Sequence, residues 1–200
     1  GTKNKLLRSA IAKAIDKNQI SEVIYQGVRK PASGLLPPGI PGYKAGQGLT
    51  SGRDLDGAKA DYKKWLALGN KTPAPIRLSY NDGAGWDKVA SIIVANLKDV
   101  GIPAKLDPFA ADGTYFSKMR SGKGQIIRGG WFADYPIADN FLYPLLHSKT
   151  IDGDNLERYN SKAFDALVDS ARSSTNKSFA QSQYRRAEAY ALKTYVVMVP

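Results

Sequence analysis

The 200 residues include no cysteine and a single histidine, His147. That excludes thiolate zinc sites, iron–sulfur clusters and Cys–His nucleophile pairs, and confines any Ser–His–Asp chemistry to one residue. With 42% hydrophobic and 24% charged residues and a formal net charge of +11, the chain is globular and large enough to bury a core without disulfide or metal, and an anionic partner comes into view. The basic residues, however, fall as scattered singles and pairs such as Lys63-Lys64 and Arg185-Arg186, without the dense runs of a polyanion-binding arm, so nucleic acid is not an expected partner.

Leu6, Leu7, Ala10, Ile11, Ala14 and Ile15 recur at three- and four-residue steps, which predicts a first helix ended by Asp16-Lys17-Asn18. A short second helix is expected over Gln19 to Tyr25, with Gly27 at its cap. Between Pro31 and Pro41 the prolines and glycines exclude helix and predict an ordered loop carrying Leu35, Leu36 and Ile40 inward. Asp54 is placed to cap a helix over Leu55 to Leu68 whose buried side carries Ala58, Tyr62, Trp65 and Leu66. Ile76 to Tyr80 alternates as a half-buried strand, Trp86 to Val100 is a helix stopped by Gly101, and Ala104 to Phe109 is a second strand. A shorter helix near Tyr115 to Met119 leads into a third strand over Gln125 to Trp131, glycine-rich at its end. The order β-α-β-α-β predicts crossover units on a sheet with parallel pairs, hence an α/β fold. Helices are expected over Ala138 to Leu146, Ser161 to Ser173 and Asn176 to Thr194, then an apolar strand, Val196 to Val199. An apolar strand at the very end leads to the expectation that the native protein continues beyond Pro200.

Neither GxGxxG nor GxxxxGK[ST] stands between a strand and a helix, so a phosphate cradle has no support. Asp134 and Asp139 resemble an acid/base pair only loosely, because Asp139 falls where a helix N-terminus is expected and aspartates there commonly cap. His147, at a helix end with no partners nearby, reads as a capping or surface residue. The informative run is Arg128-Gly129-Gly130-Trp131-Phe132-Ala133-Asp134-Tyr135-Pro136, at the carboxyl end of the third strand, where open α/β sheets bind ligands. The glycines admit a ligand to the backbone, Trp131 offers a flat wall, and Asp134 with Arg128 suits an ammonium and a carboxylate. The residues alone favour a core tryptophan beside an Arg128–Asp134 salt bridge over that ligand site, since tryptophan is usually core.

Leu7-Arg8-Ser9-Ala10-Ile11-Ala12-Lys13-Ala14-Ile15-Asp16, Leu36-Pro37-Pro38-Gly39, Gly130-Trp131, Ala133-Asp134-Tyr135-Pro136, Asn140-Phe141, Tyr159-Asn160 and Phe164-Asp165 occur in an order that resembles the family 5 extracellular solute-binding proteins. These are the peptide- and oligopeptide-binding components of ABC importers. The resemblance covers essentially the whole chain and implies a periplasmic-binding-protein-like type II lobe with a mixed sheet flanked by helices and a helical C-terminal part. It implies that residues 1–200 form a single lobe, the second large one, with the first lobe of the same protein absent. By position, Asp134 resembles the aspartate that pairs with the peptide's α-amino group and Trp131 the tryptophan beside the bound backbone. Gly130 lies where backbone groups meet the ligand, and Arg128 and Arg120 resemble cleft arginines. The implied partners are a peptide and an ABC permease, without catalysis, metal or cofactor; the implied address is extracytoplasmic, with a lipid anchor on the full protein. Relatives that bind sugars or nickel chelates keep a non-peptide ligand open. A basic interaction module, marked by steep salt dependence, and a hydrolase using Asp134 are the readings from other classes.

Overall fold

The computed structural model describes residues 4–47, 52–72, 74–110 and 112–195; the strand expected over Val196 to Val199 lies outside them. Helix α1 (Lys5–Ala14) is capped by Asn4, whose side chain accepts the Leu6 N–H at 2.8 Å, and buries Leu7, Ala10, Ile11 and Ala14. Helix α2 (Lys17–Tyr25) starts two residues before Gln19. Helix α1 ends at Ala14 with Ile15 as its C-cap, and Asp16 caps α2, its Oδ1 accepting the Gln19 N–H at 2.9 Å, so Lys17 and Asn18 extend the second helix rather than break the chain. Helix α3 (Leu55–Ala67) is capped by Asp54. The Asp54 carboxylate comes so near Gly57 that a Cβ there would stand 2.1 Å from Oδ2, so the capping turn requires a glycine. Ala58, Tyr62 and Trp65 are buried as expected, but Leu66 is exposed, because it stands at the edge of the stripe that meets α1.

Strands β1 (Ile76–Asn81), β2 (Ala104–Phe109) and β3 (Ile126–Ile127) form a sheet in the order β2-β1-β3, with every pairing parallel. Leu78 stands opposite Leu106 on one side and Ile126 on the other. The half-buried alternation expected of β1 is replaced by consecutive burial of Leu78, Ser79 and Tyr80, the pattern of a central parallel strand covered on both faces. Helices α4 (Trp86–Val100) and α5 (Thr114–Arg120) make the crossovers. The antiparallel member that a mixed sheet requires is not among the described residues.

Helices α6 (Asp139–Leu146), α7 (Lys162–Arg172) and α8 (Lys177–Tyr195) form the C-terminal part. His147 is buried beyond α6; its Nδ1 accepts the Lys149 N–H at 3.1 Å and its Nε2 lies 3.2 Å from Asp169, so it caps a short 3-10 turn and is not on the surface. Two hydrophobic cores result. The first joins α1 to α4 and the sheet through Leu7, Ile11, Trp65, Leu78 and Leu97; the second joins α6 to α8 with the 35–43 loop through Leu36, Leu142, Phe164, Val168 and Ala187.

Candidate functional site

The expected third strand stops at Ile127, four residues short of Trp131. Arg128 makes the last ladder contact, its N–H bonding the Ser79 carbonyl at 2.9 Å. The buried Tyr115 hydroxyl lies 2.5 Å from the Arg128 carbonyl and 3.0 Å from that of Ser79. Burial pushes this phenol up to about 12, so at neutral pH it is a proton donor to that pair. Past this point Gly129 and Gly130 are exposed and the chain leaves the sheet.

A buried amide then takes over from the ladder. Asn140, 4% exposed in the first turn of α6, accepts the Trp131 indole N–H at 3.2 Å and the Asp134 backbone N–H at 2.9 Å on the same Oδ1. Its Nδ2 reaches the Asp134 carboxylate at 3.5 Å. One side chain therefore fixes both the flat apolar wall and the acid, and the Asp134 carboxylate stays in solvent. Asp139 is no catalytic partner of Asp134. It is buried as the first residue of α6, where it receives the Tyr135 hydroxyl at 2.9 Å, the Tyr184 hydroxyl at 3.2 Å and the Arg172 Nε at 3.3 Å. Burial, and then the Asp139 charge, push the Tyr184 phenol up.

The Arg128–Asp134 salt bridge that the residues alone allowed does not form. The Arg128 guanidinium instead lies over the Trp86 ring, 3.9 Å from its centroid, and Nη1 donates to Asn81 at 3.3 Å. Its Nε is buried without an acceptor, and burial holds its pKa below the usual arginine value. Arg120 is clasped elsewhere: it donates to the Gly153 carbonyl and to Asp154, both at 3.2 Å, while Arg158 bonds the Arg120 carbonyl at 3.0 Å and pairs with Asp152.

A cavity of about 650 Å³ opens between the two cores at the carboxyl end of the sheet. Arg120, Arg128, Gly130 and Trp131 all line it, with Tyr80, Trp86, Leu36 and Phe141 among the apolar walls. Asp134 does not line it and stands exposed three residues past Trp131, next to Phe132, which is 95% exposed. Sequence reasoning missed Trp86, Tyr115 and Asn140 as parts of this site. Only Asn140 had a signal, the Asn140-Phe141 pair, and nothing in spacing showed that its amide would turn back onto Trp131.

A parallel α/β unit with a ligand-sized cavity at the carboxyl end of its strands, backed by a helical layer, has the arrangement of a ligand-binding unit. Residues 2–153 match the family described as bacterial extracellular solute-binding proteins, family 5 Middle, and the chain belongs to that family. It is 31% identical to heme-binding protein A of Haemophilus influenzae over 199 residues, covering 92% of this chain and 34% of that protein. It is 29% identical to the dipeptide-binding protein of Escherichia coli, covering 91% and 34% respectively. Among solved structures it resembles the periplasmic binding protein DppA of Helicobacter pylori in complex with the peptide STSA, with a TM-score of 0.82, 28% identity, and coverage of 95% of this chain and 36% of that one. The chain thus spans about a third of the length of the relatives it matches. The family consists of solute-binding proteins rather than enzymes.

Proposed function

We propose that this chain is the second large lobe of a two-lobe receptor that captures extracellular peptides and delivers them to an ABC permease, from an extracytoplasmic and lipid-anchored position. The observation that carries this reading is the Asn140 amide, which holds a tryptophan face and a solvent-facing carboxylate side by side at the rim of the cavity. In this reading Trp131 lies along the peptide backbone, Gly130 admits it, Asp134 pairs with its ammonium and Arg128 with an anionic group further along. Arg120 closes the wall through its clasp with Asp154 rather than reaching the ligand. Relatives named for dipeptide and oligopeptide binding support the peptide class, and Arg128, which has no carboxylate partner among the described residues and a buried Nε without an acceptor, supports an anionic ligand group.

The heme-binding name of one relative favours a second reading, a non-peptide solute in the same cavity. Calorimetric titration of the full-length protein with a di- to pentapeptide pool, with heme, sugars and nickel chelates run in parallel, separates the two. Saturable peptide binding is the expected result. Binding of heme or another solute with no response to peptides overturns the proposal.

A further inference from the structure

Arg128 differs from five arginines of the chain that are held by acids. Arg53, Arg77, Arg120, Arg158 and Arg172 each pair with an aspartate. Arg128 has no acid partner among the described residues: it has an amide oxygen on Nη1, an indole face beneath it and a buried Nε with no acceptor. Burial is the main cause of its lowered pKa, and no carboxylate is among the groups that act on it. A half-buried cation without a counter-ion is costly to maintain, and this one lines the cavity, on whose wall Arg120 is already paired with Asp154.

A guanidinium stacked on an aromatic ring uses its π face and keeps its N–H edge for a carboxylate, with the plane of the fork already set. The ring that sets the plane is placed by backbone geometry. Trp86 opens α4 directly after Gly83, Ala84 and Gly85, which take φ of 104°, 53° and 78°, and its N–H closes the turn on the Gly83 carbonyl at 3.2 Å. A protein carboxylate in the same place would neutralise Arg128 in advance and compete with any ligand acid.

We infer that Trp86 is a positioning residue: its indole face holds the Arg128 guanidinium at the cavity wall, so that the site selects ligands bearing a carboxylate over neutral ones of the same shape. This rests on the peptide-capture reading, in which the carboxylate is the peptide's own.

The test compares a di- to pentapeptide library with the same library amidated at the C terminus, titrated by calorimetry into the full-length protein. Wild type is expected to prefer the free acids, and Arg128→Met to lose that preference. Trp86→Leu is expected to cut the acid-to-amide affinity ratio by roughly 3- to 10-fold, and Trp86→Tyr, which keeps a ring face, to restore most of it. If Trp86→Leu weakens acids and amides equally, Trp86 is only a wall and the inference is overturned. A wild type that binds acids and amides alike also overturns it while leaving peptide capture intact. A wild type that binds neither library overturns peptide capture itself.

Discussion

The segment Ile76–Phe109 and the segment 125–138 adjoin the same sheet, yet their backbones are held by different means. In the first, β1 and β2 pair along their full length and α4 lays Val89, Ile93 and Leu97 on the sheet. In the second, the ladder ends after two residues, and the backbone bonds pass to Tyr115 and Asn140. The first is held by repetition, where many equivalent bonds and apolar contacts share the work. The second is held by a few side chains, each in a singular role. Substitutions of the core residues of the first should therefore act on stability, and substitutions in the second should act on binding; Trp86, whose ring faces the cavity under Arg128, is the first segment's exception.

The largest effect should come from Leu97→Ala. Leu97 is 0% exposed in the first core, and its truncation is expected to cost about 2–5 kcal/mol in denaturant unfolding, while the folded fraction keeps its ligand affinity. Asn140→Leu sharpens the contrast. It strips the acceptor from the Trp131 indole and the Asp134 N–H, with an expected stability loss of about 1–3 kcal/mol and a loss of peptide affinity on the order of tenfold. If Asn140→Leu leaves affinity intact, or Leu97→Ala abolishes it in folded protein, the division between the two segments breaks.

The smallest effect concerns the loop on the far wall of the cavity. Glu188 of α8, 1% exposed, accepts the Leu35 and Leu36 N–H groups at 2.7 and 2.9 Å on Oε1, while Oε2 has no partner. Gly34 lets it approach, since a Cβ there would lie 2.6 Å from Oε1. Burial pushes this carboxyl above its ordinary 4.5. The folded state therefore takes up the proton at higher pH than the unfolded chain, so this group's contribution to stability grows as pH falls through the folded value toward 4.5 and declines as pH rises. Thermal unfolding of wild type against Glu188→Gln should show wild type gaining on the variant as the buffer is acidified. A gap that stays constant with pH contradicts this.

These segments also differ in how far the sequence foretold them. Helix α4 runs over the residues expected, because Val89, Ile93 and Leu97 repeat at helical spacing and Gly101 supplies the left-handed stop at φ 88°. Asp54 and Ser161 were readable as helix starts because capping is a local property. The third strand was read four residues too long, since Ile126-Ile127-Arg128 looks extended whether or not a neighbour pairs with it. Past Arg128 the chain is held instead by Asn140, distant in the pattern though near in the fold. Of the expected site residues, Arg120, Arg128, Gly130 and Trp131 meet at one cavity, and Asp134 stands just outside it. Trp86 escaped notice because an indole at a helix start reads as core, and its use as a platform depends on where Arg128 arrives from another strand.

The claim that Asp134 holds the ligand's ammonium is tested most directly by a two-way comparison in the full-length protein: wild type and Asp134→Ala, each titrated with free and N-acetylated forms of the same peptides. The expected result is that either change alone lowers affinity on the order of 10- to 100-fold, and that making both costs little more than making one. Losses that simply add, or an Asp134→Ala variant that binds free peptides as tightly as wild type, would put the ammonium elsewhere.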